Sequence, residues 1–339
     1  MGTLYIDRKN LEIRLDGNAI AFYANNAREG MVPINPLERV IVVGNAKIET
    51  SVLHRLAGEN VSVLFLSGRS MRFGGMLHGR VHNNGVLRLR QYGKATGPEA
   101  CGIARNTVLG KVERQREFLR EAVSGRPDKR FETLRAGETL ENIISLLNEA
   151  PGASRDHGPG RSTEELLAAY RGFEGAAAAA YFSAYTALFP GSLAFTRRTR
   201  RPPKDPVNAL LSLAYTLLHY ECVREVTLIG LDPTIGFLHQ FEYGRESLAC
   251  DLVELFRTDA DRFVWTLFRE REFSARDFAT DAETGGCYLK KAGRSRFYAR
   301  YEEWSRVIRA GITSEARSLA RHILDGEEPF GDEEVVLEN

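Results

Sequence analysis

Cysteine is scarce in this chain and never paired in spacing: Cys101, Cys222, Cys250 and Cys287 stand apart among 339 residues, with no C-x-x-C. That scatter excludes a thiolate zinc cluster and a disulfide framework, and it fits a reducing cytoplasm. Long apolar runs are missing too. None approaches the roughly 18 residues that span a bilayer, so a soluble, cytoplasmic protein with no membrane contact is expected. The opening MGTLYIDRKNLEIRL alternates apolar and polar residues and lacks the apolar core of a secretory signal, so no export is expected, and the strand-like run argues against a lipidation signal at Met1-Gly2. There is no repeat of solenoid period. Net charge is nearly absent at +1, which argues against a strongly cationic nucleic-acid binder. The average conceals an asymmetry, because residues 325–339 carry seven acidic groups and no Lys or Arg, leaving +8 on the rest of the chain. An end of that composition reads as a solvated, disordered acidic tail over 326–339.

What is present is ordinary globular material, 43% hydrophobic and 27% charged, in a chain longer than one typical domain. Up to about residue 90 the runs LYID, LEIRL, AIAFY, RVIVVG, VSVLFLS and MLHGRV to VLRLR alternate with period two between turns such as Asp16-Gly17 and Asn83-Asn84-Gly85. One helix, around ETSVLHRLAGEN, interrupts them. After Gly97-Pro98 the spacing turns helical, with Ser162 and Glu165 forming a capping box beyond the Gly- and Ser-bearing loop ASRDHGPGR. The expected architecture is α+β and multidomain: a small antiparallel β domain over 1–95, serving dimerisation and DNA contact, then a larger all-α catalytic domain over 96–325.

Three segments could carry chemistry. Glu174 sits in the small, apolar helix segment RGFEGAAAAAYF, where a carboxylate is costly without a partner and where five alanines would let a neighbouring helix come close. His239 follows the turn IGLDPTIGFLHQ. In SLACDLVELFR, Asp251 and Glu254 share one helical face at i and i+3 amid apolar neighbours. Two carboxylates and an imidazole, with Asp251 as a supporting or additional ligand, suit Mg²⁺ or Mn²⁺ better than Ca²⁺, with zinc left open by ligand type alone, and such ions serve phosphodiester chemistry. Between these segments, FTRRTRRPPKDPVN clusters Arg197, Arg198, Arg200, Arg201 and Lys204 in a loop of the kind that attracts DNA phosphates. A weaker basic patch surrounds Tyr92, with Arg88, Arg90 and Lys94. Spacing alone leaves two alternatives open: another metal-dependent phosphodiesterase, and a non-catalytic DNA-binding scaffold in which the same groups form a buried polar network.

Taken in order, AAYRGFEGAAAAAYF, RRPPKDPVNALLSLAYTLL, GLDPTIGFLHQ and SLACDLVELFR resemble the universal CRISPR-associated integrase, the family of nucleases that insert new spacers into the repeat array. The resemblance implies metal ligands at Glu174, His239 and Glu254 with Asp251 close by, a helix-start residue near the site at Asn208, and Tyr170 and Arg171 on the helix of Glu174. It implies transesterification by a 3′-hydroxyl on double-stranded or branched DNA. It also implies a homodimer and a second, small adaptation protein that bridges two such dimers. Two departures, FRTDADRF without a proline after FR and Leu213-Ala214 where glycine is common, touch no proposed ligand.

Overall fold

Alternating apolar residues in the first quarter of the chain build two sheets. The computed structural model describes residues 2–68, 71, 73–79, 82, 84–150 and 162–324; the acidic tail and the ASRDHGPGR loop lie outside them. Strands β1 (Gly2–Ile6), β2 (Glu12–Asp16), β3 (Ala19–Ala24), β4 (Ala27–Pro33), β5 (Leu37–Val43) and β6 (Lys47–Ile48) precede helix α1 (Thr50–Gly58), and β7 (Ser62–Leu66) and β8 (Phe73–Leu77) follow it. One sheet has the order β1-β5-β7-β8 and the other β4-β3-β2-β6.

The region is strand-rich as expected, but it is not purely antiparallel. β1, β5 and β7 run parallel, β8 joins antiparallel, and β6 lies parallel to β2. Passage through α1 between β5 and β7 returns the chain to the same end of the sheet, which makes the pair parallel. Period-two alternation then divides two cores. Val40, Val42 and Val63 pack with Ile13, Ile20, Val52 and Leu56, whereas Ile41, Val43, Leu64 and Leu66 join the helical core on the other face.

The run VLRLR, read as a strand, is helical. Helix α2 spans Gly85–Thr96, with Asn84 Oδ1 accepting the Leu87 N–H at 3.0 Å and Leu87, Gln91 and Ala95 buried at intervals of four. Its apolar and polar residues also alternate, and the cap together with the four-residue spacing decides the outcome. The helices α3 (Glu99–Gly125), α4 (Arg130–Glu149), α5 (Thr163–Ala187), α6 (Pro206–Ile229), α7 (Ser247–Arg269) and α8 (Lys291–Leu324) account for the expected α region. A short ribbon, β9 (Phe278–Thr280) with β10 (Cys287–Leu289), interrupts it before α8 and was not anticipated. Ser162 and Glu165 do form a capping box on α5, and Asp205 caps α6.

α3 packs against α5 and α7, and α6 against α7, so these four helices frame one junction. The β-rich region is tied to the helices by the buried pair of Arg39 Nε with Glu221 on α6 at 2.8 Å and by Thr3 and Tyr5 of β1, which donate to Glu302 on α8 at 2.9 and 2.7 Å. Among the described residues no helix is long and apolar enough to cross a membrane.

Candidate active site

The loop after α6 is shaped around one carboxylate. α6 ends at Gly230, whose φ of 100° reverses the chain, and the segment to Glu246 leads into α7. Asp251, one turn into α7 and 4% exposed, receives the loop: its Oδ2 accepts the N–H groups of Phe237 at 2.6 Å and Leu238 at 3.0 Å, and its Oδ1 accepts the His239 N–H at 3.0 Å. The same Oδ1 lies 2.6 Å from Nδ1 of His239. Gly236 makes the approach feasible, since a Cβ there would stand 2.7 Å from the Ser247 carbonyl carbon and 2.8 Å from Asp251 Oδ2. Both oxygens of Asp251 are thus committed to the loop, so it supports His239 and has no lone pair positioned for an additional ligand role. With Nδ1 donating to the carboxylate, Nε2 is the basic nitrogen left for the cleft. Burial by itself would lower the His239 pKa, and Asp251 more than offsets that, leaving it raised.

Glu254 follows Asp251 on the same face of α7 and is 4% exposed. Its Oε2 is 2.5 Å from Nζ of Lys111 on α3, and the same ammonium bonds the carboxylate of Glu174 on α5. Arg257 bonds the other oxygen, Oε1, and stacks on Tyr215 with its guanidinium 4.7 Å from the ring centre. Burial would raise the Glu254 carboxyl, but Arg257 and Lys111 outweigh it and hold the pKa at about 2. Oε2 is in close ionic contact with the ammonium, and as a carboxylate oxygen it keeps a lone pair for a further cation. Glu174 reaches this point from the edge of α5. Of the five neighbouring alanines only Ala177 is fully buried, and α5 packs closely on α3 and α4, so that Glu174 projects into a helix junction.

A divalent cation fits these residues in donor type and in direction. Two carboxylates from different helices already converge on one cationic group, and an imidazole anchored through Nδ1 lines the same cleft. Among the described residues no three His, Cys, Asp or Glu side chains are gathered closely enough to enclose an ion as the chain stands.

The cleft has a volume of about 1520 Å³ and runs from Glu174, His239 and Glu254 toward β8. Arg198, Arg200, Arg201, Arg245 and Arg294 line it, so its walls are richer in cations than the chain as a whole. Arg200 and Arg201 are exposed, as expected of phosphate contacts. Arg198 is half-buried, bonds Asn208 Oδ1 at 2.8 Å and Ser212 at 3.2 Å, and burial lowers its pKa. Arg197 and Lys204 lie outside the lining, and Lys204 donates to the Gly285 carbonyl at 3.3 Å. Asn208 is fully buried and braces the arginine loop through Arg198, the Thr199 N–H and the Arg197 carbonyl. Tyr170 is 1% exposed within the core, and Arg171 reaches back to the Leu238 carbonyl at 3.3 Å. The residues around Tyr92 are braces as well: Arg88 donates to the Gly230 carbonyl, and Tyr92 bonds Asp232 at 2.7 Å. Lys111, Arg257, Arg245 and Arg294 were missed by sequence reasoning. Lys111 had a signal, since it falls on the buried stripe Ala104, Val108, Lys111, Gln115 and Phe118 of α3, where a cation needs a partner.

A family model described as CRISPR associated protein Cas1 matches residues 4–303. A CRISPR-associated endonuclease Cas1 of Thermodesulfovibrio yellowstonii is 50% identical, over 96% of this chain and 98% of the relative. The structure of a CAS1 protein from Thermotoga maritima superposes with a TM-score of 0.80 at 26% identity, covering 98% of this chain and all of the other. A chain of a Cas6-RT-Cas1–Cas2 complex shares the fold at a TM-score of 0.79 and 21% identity; the match covers 96% of this chain and 35% of that one.

Proposed function

The chain belongs to the Cas1 family of CRISPR-associated proteins, and from that premise we propose that it is a divalent-metal-dependent DNA endonuclease and integrase acting in CRISPR adaptation. The observation that carries the reading is the meeting of Glu174 and Glu254 on one cationic group at the foot of an arginine-lined cleft, beside an imidazole that Asp251 holds in orientation. In this reading Glu174, Glu254 and Nε2 of His239 hold Mg²⁺ or Mn²⁺, as their mixed oxygen and nitrogen donors suit. When bound, the ion supplies Lewis-acid polarisation of the scissile phosphoryl group and activation of the attacking oxygen.

The protein's own residues supply the rest. Arg200 and Arg201 bind phosphates by charge and so place DNA without reading its bases. Asn208 sets the course of the loop that presents them. Asp251 fixes the tautomer and orientation of His239, and Arg257 keeps Glu254 ionised. Transesterification by a 3′-hydroxyl at the repeat boundary, with spacer and repeat DNA as substrates, extends the reading. The remaining parts of the proposal are a homodimer, a β-rich domain over 1–95, an α-helical catalytic domain over 96–325, and a small second adaptation protein bridging two dimers. The fold shared with a chain of a Cas6-RT-Cas1–Cas2 complex supports Cas2 as the partner. The test is Mn²⁺- or Mg²⁺-dependent cleavage and joining of branched DNA by the full chain. Activity abolished by chelation and by Glu174→Ala is the expected result, and activity indifferent to both overturns the reading.

A further inference from the structure

Among the described residues, Lys111 is the group that touches both carboxylates of the site. It projects from the middle of α3, is 1% exposed, and bonds Glu174 while lying 2.5 Å from Glu254. Val108 and Val112 beside it on α3 are fully buried and apolar, and the two carboxylates are the anionic groups that meet its charge. Without Lys111, Glu174 and Glu254 would face each other with Arg257, on the far oxygen of Glu254, and the nearby His239 to offset them. An ammonium held in this way has two consequences. It stabilises the metal-free site, and it opposes the arrival of a dication at the same pair of oxygens.

We propose that Lys111 is a built-in counter-cation of the active site, a positioning residue that keeps Glu174 and Glu254 together before metal binds and weakens metal affinity by competing for them. The proposal rests on the metal-site reading given above. Whether the ammonium turns aside or stays nearby when metal enters, the sign is the same. A unit positive charge a few ångströms from a divalent ion repels it appreciably even at the dielectric of water, so removing it tightens binding by about tenfold or more. Removing it also withdraws the cation that lies between the two carboxylates, so the metal-free protein becomes less stable and more dependent on metal.

The experiment compares the full-length wild type, Lys111→Met, Lys111→Gln and Glu254→Ala by Mn²⁺ titration in a calorimeter and by melting with and without Mn²⁺. Lys111→Met keeps the length of the side chain, and Lys111→Gln keeps a donor while losing the charge. Both are expected to bind Mn²⁺ about tenfold more tightly than the wild type, to melt lower without metal, and to gain more from added Mn²⁺. Unchanged or weaker Mn²⁺ affinity in a folded Lys111 variant overturns the proposal and makes Lys111 a simple prop for the carboxylates. If both variants fail to fold without metal, recovery by Mn²⁺ supports the proposal, and failure to recover counts against it. Glu254→Ala separates the two claims: Mn²⁺ binding that survives this change refutes the metal site itself, whereas loss there with no gain in the Lys111 variants refutes only the role of Lys111.

Discussion

Replacing Asp251 by Asn tests how much of the site depends on one side chain that does not itself meet the substrate. The carboxylate takes four hydrogen bonds on two oxygens, three from consecutive backbone N–H groups and one with the His239 ring. An amide has one oxygen, and its NH₂ would face N–H donors, so two bonds are lost and their donors stay buried. At roughly 1 to 3 kcal/mol for each unsatisfied buried group, Asp251→Asn is expected to cost about 2 to 6 kcal/mol of stability. His239 also loses the partner that orients its ring, and outer partners of this kind are worth about 10- to 100-fold in metal affinity or activity. Denaturation by urea and metal-dependent DNA cleavage, measured on the folded variant, read the two effects separately. Stability within about 1 kcal/mol of the wild type together with activity within about twofold would refute the reasoning.

Gly236→Ala forces a Cβ to 2.7 Å from the Ser247 carbonyl carbon. The loop must shift, so DNA cleavage is expected to fall by at least about tenfold while α7 itself survives, and circular dichroism with an activity assay checks this. Arg200→Ala and Arg201→Ala are each expected to reduce the salt dependence of DNA binding by about one unit of log–log slope without lowering stability, because both are exposed; an unchanged slope places phosphate contact elsewhere. Asp261 is fully buried beside Tyr215 and Arg257, and burial lifts its pKa to about 6 in spite of them. A raised folded-state pKa means that the folded chain holds its proton more tightly. The resulting stabilisation is complete below about pH 4 and is lost as pH rises through 6, and it amounts to roughly 3 kcal/mol at 1.36 kcal/mol per pKa unit. Stability of wild type relative to Asp261→Asn should therefore decline over that window, and a constant difference contradicts the assignment.

The elements, and the acidic and histidine residues that the fold brings to the cleft, were largely legible because their signals are local. A Ser-x-x-Glu cap, a proline after Asp205 and carboxylates at i and i+3 are each read within a few residues. Legibility failed where several local patterns coexist or where the partner is distant. VLRLR alternates like a strand, yet Asn84 and the buried positions Leu87, Gln91 and Ala95 make it a helix. The division of labour between Asp251 and Glu254 could not be read from their spacing, because it is set by which one the 237–239 backbone approaches. Asn208 and Tyr170 lie in segments close to the site, but burial makes the first a brace for the arginine loop and the second part of the core. Lys111 is 63 residues from Glu174, and only the packing of α3 against α5 and α7 brings it to both carboxylates.

The central claim, a catalytic metal site built on His239, is met most directly by His239→Ala, assayed for Mn²⁺- and Mg²⁺-dependent joining and cleavage of branched DNA with the proposed small partner supplied and its folding checked by circular dichroism. The account predicts a folded variant that has lost both activities while the wild type retains them. Full activity in that variant, or a wild type inactive with either ion, would contradict it.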